Sequence, residues 1–256
     1  MSLKKIYIVL VCLIVSIVAS PLTQSHPEDE FCSQESLDPL LCAELAALDS
    51  DQISEKSDVV MLARTSLATG ILYLRLGVEH ILPAGLDHLL FVALLLLSSR
   101  NLRLLVYQIS CFTLAHTVTL FLVLRGILTM SGAWVEALIA FSIVIVGLEN
   151  IIFNKIHRWR LALVFAFGLL HGVGFAGALA ELGIPGKHFI SALLGFNLGV
   201  ELGQLGFALV GFTILCWLMQ KEWYRRRLVV PVSGLILWVA LFWTFERLSV
   251  VWLAID

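Results

Sequence analysis

From residue 84 onward the sequence is a succession of apolar stretches, each near the ~20 residues that a helix needs to cross the hydrocarbon core of a bilayer. Their boundaries fall at about 84–99, 104–124, 133–153, 160–180, 188–219 and 228–249. The expected fold is all-α, a polytopic transmembrane helix bundle of about six spans that follows a signal peptide. Composition agrees: 59% of residues are hydrophobic, 14% are charged and the mean hydropathy is +0.95, whereas soluble domains carry about a quarter charged residues. A net charge of −2 with no basic stripe excludes nucleic acid as a partner.

The residues ahead of the bundle divide by composition into three. Residues 1–20 have Lys4 and Lys5, then the run IYIVLVCLIVSIVA, then small residues at Ala19 and Ser20, the three-part form of a secretory signal. A retained first helix is the alternative. Residues 21–58 are acidic and polar and contain Cys32 and Cys42. In an oxidising compartment these two close a small loop; two unpaired thiols are the alternative. Of the five cysteines none forms a CxxC pair, so no zinc ribbon or thioredoxin-type motif is present. Residues 59–83 are interrupted by Arg64, Gly70 and Arg75 and read as an interfacial amphipathic segment. Residues 84–256 form the bundle, entered through a helix break at Pro83 and Gly85.

Loop charge gives an orientation. With the N-terminus outside, the inner loops hold nine basic residues (Arg100, Arg103, Lys155, Arg158, Arg160, Lys221, Arg225, Arg226 and Arg227) and the outer segments three (Arg125, Lys187 and Arg247). Nine against three follows the positive-inside rule. The expected location is a bacterial inner membrane, with the N-terminus extracytoplasmic and both ends of the mature chain outside.

Polar groups inside the apolar runs are the functional signal. The stretch GVEHILPAGLDHLLFVALLLL, residues 77–97, sets His80, Asp87 and His88 at the mouth of the first span. His116, Glu136, His171, Asn197, Glu201 and Gln204 fall in the outer half or near the middle of later spans; Glu149 and Asn150 come at the inner end of the third. Asn197, Glu201 and Gln204 share one helical stripe, as do Phe112, Thr113, His116 and Thr119. Gly168, Gly172, Gly174 and Gly177 around His171, with Gly195, Gly199 and Gly203, predict close helix approach and place spans four and five at the bundle centre. A single histidine among these is as readily a hydrogen-bonding group between helices as a ligand, and Glu149 with Asn150 pairs more simply with Lys155 or Arg158. The joint pattern exceeds what helix adhesion requires. Imidazole with carboxylate is the ligand set of a borderline divalent metal, leaving Zn, Ni, Co and Fe(II) open. His80, Asp87, His88, His116 and His171 are the expected metal residues, with Asn197, Glu201, Gln204, Glu149 and Asn150 as supporting polar groups.

Five ordered blocks carry a resemblance: GVEHILPAGLDHLLFVALLLL, CFTLAHTVTL, WVEALIAFSIVIVGLEN, FGLLHGVGFAGAL and GFNLGVELGQL. Together, over roughly residues 70–215, they resemble the HupE/UreJ family of bacterial membrane proteins. That resemblance implies hydrogenase or urease accessory functions, and nickel or cobalt permease activity as in the better-known members. It implies that His80, Asp87 and His88 recognise the metal and that His171 is a central histidine. Six residues, 81–86, separate His80 from Asp87 where the permease members have five, and Gly168–Gly174 holds one histidine where they carry a doubled motif.

The leading functional expectation is a metal permease with an outward-facing site binding Ni, Co or Zn. The alternative is an intramembrane metal-dependent hydrolase or transferase with Glu136 or Glu201 as general base. A non-transporting sensor or assembly partner is a third. A permease needs polar groups reaching both surfaces, and the sequence shows a gap between the outer polar residues and Glu149. The partners expected are lipid and a metal ion, with homo-oligomerisation open.

Overall fold

A computed structural model describes residues 66–129, 132–157, 159–181 and 186–253, all within one unit, Ala43–Asp256. The signal segment, the segment 21–58 and the Cys32–Cys42 pairing lie outside the described residues. Seven α-helices follow one another: α1 (Ser66–Ile81), α2 (Leu86–Ser98), α3 (Leu102–Leu124), α4 (Gly132–Ile152), α5 (Arg160–Glu181), α6 (Phe189–Met219) and α7 (Val230–Leu253). A 3₁₀ turn at Gly186–His188 precedes α6 and a π turn at Arg225–Val229 leads into α7. No strand is present among the described residues.

Helices α3 to α7 are each long and apolar enough to cross a membrane; α1 and α2 pass that test as a pair bent by 71°. The chain is a polytopic helical membrane protein. Five spans begin and end close to where hydropathy places them. The first differs. Pro83 and Gly85 interrupt a crossing instead of preceding it, so the span starts at Ser66 and is broken near its middle. Helix α1 packs lengthwise along α6, so of the two placements open to an amphipathic helix here, against the membrane surface or against the bundle, it takes the bundle. The contact is backbone to backbone: a Cβ added at Gly77 would fall on the Phe196 carbonyl, and one at Gly199 on that of Leu74. Ser66 Oγ lies 3.0 Å from His188 Nδ1, so α1 and α6 start at the same level.

The centre of the bundle is α2, not spans four and five. His88, Leu90, Phe91, Val92 and Leu94 to Leu97 are all buried, whereas only 33% of the apolar window of α6 is. Glycines there signal pairwise approach, α6 with α1 and α5 with α3, and the opposite faces meet lipid. Ile190, Leu194, Leu198, Leu202 and Leu209 form an exposed stripe down α6, the surface that helical periodicity gives a lipid-facing helix.

Both ends of the bundle are tied by charged or polar groups. At one end, called here the basic end, the Tyr224 hydroxyl donates to the Leu97 carbonyl at 3.2 Å. There Arg225 Nη2 donates to the carbonyls of Ile151 and Phe153, both at 2.9 Å, capping the C-terminal turn of α4. Toward the other end Arg247 of α7 donates to the Glu136 carbonyl at 3.0 Å.

Candidate metal centre

Helix rise puts the four intramembrane histidines at one level. Counting from the basic end at about 1.5 Å per residue, His88 lies ~15 Å along α2, His171 ~17 Å along α5 and His116 ~21 Å along α3. His80 joins them because α1 ends there. This is the middle of a ~30 Å hydrocarbon layer, deeper than the outer mouth expected for His80 and His88, since the break was read as the start of the span.

His88 is the hub. Its ring centre lies 5.0 Å from that of His80, 4.8 Å from His171 and 6.0 Å from His116. Imidazoles sharing a tetrahedral ion with bonds of about 2.0–2.1 Å have ring centres about 5 Å apart. As placed, however, the rings are grouped without aiming at one point: among the described residues no set of three or more His, Cys, Asp or Glu side chains stands in position to hold a metal ion. Convergence requires rotation about the last side-chain torsion, which is broad for histidine.

The hydrogen bonding of these rings is incomplete in a uniform way. His116 Nδ1 lies 2.9 Å from Asn197 Oδ1, and His171 Nε2 lies 3.3 Å from Ser142 Oγ. Yet Nε2 of His80, His88 and His116 and Nδ1 of His171 are buried with no partner. An unmet buried polar atom costs roughly 1–3 kcal/mol, so four come to on the order of 4–12 kcal/mol, comparable with the ~5–15 kcal/mol that holds a whole domain folded. The surroundings offer no relief. Phe175 packs against His80 with ring centres 3.8 Å apart and the rings tilted by 42°, and Phe112 borders His88 and His171 at 5.7 and 5.0 Å.

The close approach of α3 and α5 builds half of this layer. A Cβ at Gly168 would fall on the Phe112 carbonyl, and one at Gly172 on His116 and Thr119. No residue other than glycine lets His171 reach the level of His116 with the helices this close.

Asp87, expected beside the histidines as a ligand, meets a guanidinium instead: Arg247 Nη1 and Nη2 each lie 3.2 Å from Oδ2. The pair ties the start of α2 to α7. Glu136 is exposed near the end of the bundle. Glu201 accepts from the Ser110 hydroxyl, and Gln204 Oε1 accepts from Thr113 at 3.3 Å. With His116–Asn197, these form a line of polar side chains along the α3–α6 seam.

Comparison with protein families now has a structure to rest on. The family model described as HupE / UreJ protein matches residues 56–247. The chain belongs to the HupE/UreJ family. The family is associated with nickel or cobalt transport or with accessory functions. No curated protein and no solved structure matches the chain.

In this HupE/UreJ protein Glu149 and Asn150 are buried at the basic end, away from the histidines. Among the described residues, which do not include Arg158, their charged partner is Arg160 of α5 rather than Lys155: its Nη1 lies 3.3 Å from Glu149 Oε2 and donates to Asn150 Oδ1 at 3.1 Å. Asn150 Nδ2 donates to the Leu94 carbonyl at 2.8 Å. Ser142, Ser110 and Phe175 were not singled out by sequence; Phe112 entered only as part of the His116 stripe and Arg247 only as an outer loop charge. Arg247 had a signal, being an arginine within an apolar run; a lone serine or phenylalanine in such a run has none.

Proposed function

We propose that this protein is a permease for a divalent transition metal of the nickel, cobalt or zinc kind, and that His80, His88, His116 and His171 form its binding layer. The reading rests on one observation above the rest: four neighbouring imidazoles each have a buried nitrogen without a partner. A neutral imidazole carries one N–H and one lone-pair nitrogen, and a divalent cation takes up the lone pairs of several rings at once. Discontinuous transmembrane helices with a mid-depth site at the break are a recurring device of secondary transporters, and α1–α2 supports that comparison.

The polar α3–α6 seam favours a permease over an enzyme. It carries hydrogen-bonding side chains from His116 as far as Ser110, and a catalytic cavity open to one side has no use for it. A base for hydrolysis is also wanting, because Glu136 is exposed and Glu201 is bonded to Ser110. Asp87 acts with Arg247 as an anchor for α2. The loop-charge bias supports a basic end facing the cytoplasm of a bacterial inner membrane and a metal entering from the other side. The test is metal uptake by proteoliposomes together with metal content of the purified protein, wild type against His88→Ala. Uptake and binding lost together uphold the reading; binding without uptake in wild type returns the enzyme or sensor.

A further inference from the structure

The carboxylates within the apolar spans are answered by arginine, with one exception. Glu79 has Arg75 at 2.8 Å, Asp87 has Arg247 at 3.2 Å and Glu149 has Arg160 at 3.3 Å; Glu136 and Glu246 are exposed toward the outer end. Glu201 has the Ser110 hydroxyl, which donates to Oε1, and among the described residues no basic side chain lies within ion-pair distance of it. Its place makes this costly. Ser110 lies ~12 Å along α3 from the basic end and ~9 Å short of His116, inside the hydrocarbon layer. Both residues are half-buried, and Leu114, Leu198 and Leu202 beside them are exposed, so the carboxyl stands at the lipid edge of the α3–α6 seam. An ionised carboxylate without a counter-charge in apolar surroundings is expensive, and such a group takes up a proton instead. No neighbouring element brings a charge to it. Helix α6 turns Gly195, Gly199 and Gly203 toward α1, and Glu201 projects from the opposite side at about 100° per residue, away from Arg75, Glu79 and His80. On α3, His116 bonds to Asn197 one turn outward, Cys111 Sγ donates to the Leu161 carbonyl, Tyr107 is exposed and Arg103 stands in the first turn. On α2, Asp87 answers Arg247 and His88 belongs to the layer; His188, in the turn before α6, bonds to Ser66 at the outer end.

We propose that Glu201 is a proton-binding site linked to the metal: it holds a proton while the histidine layer is empty and releases it when a divalent cation enters the layer. The linkage rests on the permease reading; the proton site itself does not. A cation ~9 Å away along the bundle, across apolar helices, favours the ionised carboxylate, and ionised Glu201 favours the cation by the same amount. The carboxyl O–H bond breaks and the proton leaves to water at a membrane surface, so each bound dication adds one net positive charge to the bundle rather than two. Ser110 serves both states, since its donation to Oε1 leaves Oε2 to carry the proton. A proton suits the site better than a hard metal cation, which asks for about six oxygen ligands where two side chains meet.

The experiment treats the full-length protein in lipid nanodiscs with dicyclohexylcarbodiimide, an apolar reagent that adds to protonated carboxyl groups, and locates the adduct by peptide mass analysis across pH, with and without nickel, cobalt or zinc ions. An adduct on Glu201 is expected at neutral pH, declining as pH rises and forming severalfold more slowly with saturating metal. In weakly buffered solution at pH 7.5, where free imidazoles are mostly neutral, about one proton is released per metal ion bound. That release is lost in Glu201→Gln, which keeps the Ser110 bond and still binds metal. Should Glu201→Gln not fold, labelling of the wild type with and without metal decides. No adduct on Glu201 in the folded protein, or an adduct that bound metal leaves unchanged, overturns the proposal. Absence of metal binding overturns the permease reading and the linkage with it, and the labelling then still decides the proton site.

Discussion

The histidine layer and the Glu149–Arg160 cluster both bury polar groups among apolar helices, yet they leave opposite things undone. In the layer, what lacks a partner is a set of four imidazole nitrogens, one on each ring, with no counter-charge among them. At the basic end the unmet atoms are of both signs, two donors on Arg160 and the two carboxylate oxygens of Glu149, standing beside each other with an ion-pair distance of 3.3 Å. The first arrangement is the one on which the proposed cation site rests. The second is internally neutralised and structural. The difference between them is charge pairing, not burial.

The comparison is broken most severely at the ion pair. Arg160→Ala leaves Glu149 buried without its counter-charge, and removing one partner of such a pair destabilises by about 3–5 kcal/mol. The expected outcome is a large fall in thermal stability or loss of monodisperse protein, with Glu149→Gln in the same chain restoring part of it; unchanged stability of Arg160→Ala would falsify the structural role. His88→Ala should do the reverse. It removes the hub of the layer together with an unmet polar atom, so metal content falls to background while the unfolding temperature holds or rises; a variant that unfolds easily but retains metal contradicts both halves.

Smaller effects sharpen the boundary of the layer. Asn197→Ala takes away the only side-chain partner of His116, which fixes the ring's orientation from outside the metal. Outer partners of this kind are worth about 10–100-fold in metal affinity, read by competition with a chelator. Asp87→Asn should matter least for metal. Its carboxylate answers Arg247 rather than a histidine, so metal affinity is expected to stay within about fivefold of wild type, below the ~10–100-fold of a group that orients a ligand. A larger loss brings Asp87 back into the binding shell.

Much of this was legible in the sequence, for reasons that also explain the failures. Hydropathy locates α3 to α7 because apolar length is a local property. It fails at α1, where Arg75 and Glu79 dilute the run; they pair with one another at 2.8 Å, a neutralisation that a charge count does not see. Histidines 80, 88, 116 and 171 were identified by their improbability in lipid-grade sequence, and the structure brings them to one level. The depth of His80 and His88 was misjudged because Pro83 and Gly85 mark a break without saying whether a span begins there or continues. The glycines of α5 and α6 announced close contact correctly but not with which helix, and the centre went to α2, whose unbroken leucines were the plainer sign.

Because the four rings come from residues 80, 88, 116 and 171, the layer draws on four separate helices, and its last member enters the membrane only with the fifth helix. Until α5 is inserted and its glycines have closed on α3, a partly synthesised chain presents two or three isolated imidazoles and no complete layer. On the proposed reading, metal capture is timed by the order in which the chain is threaded into the bilayer, and no form that lacks α5 competes for the ion.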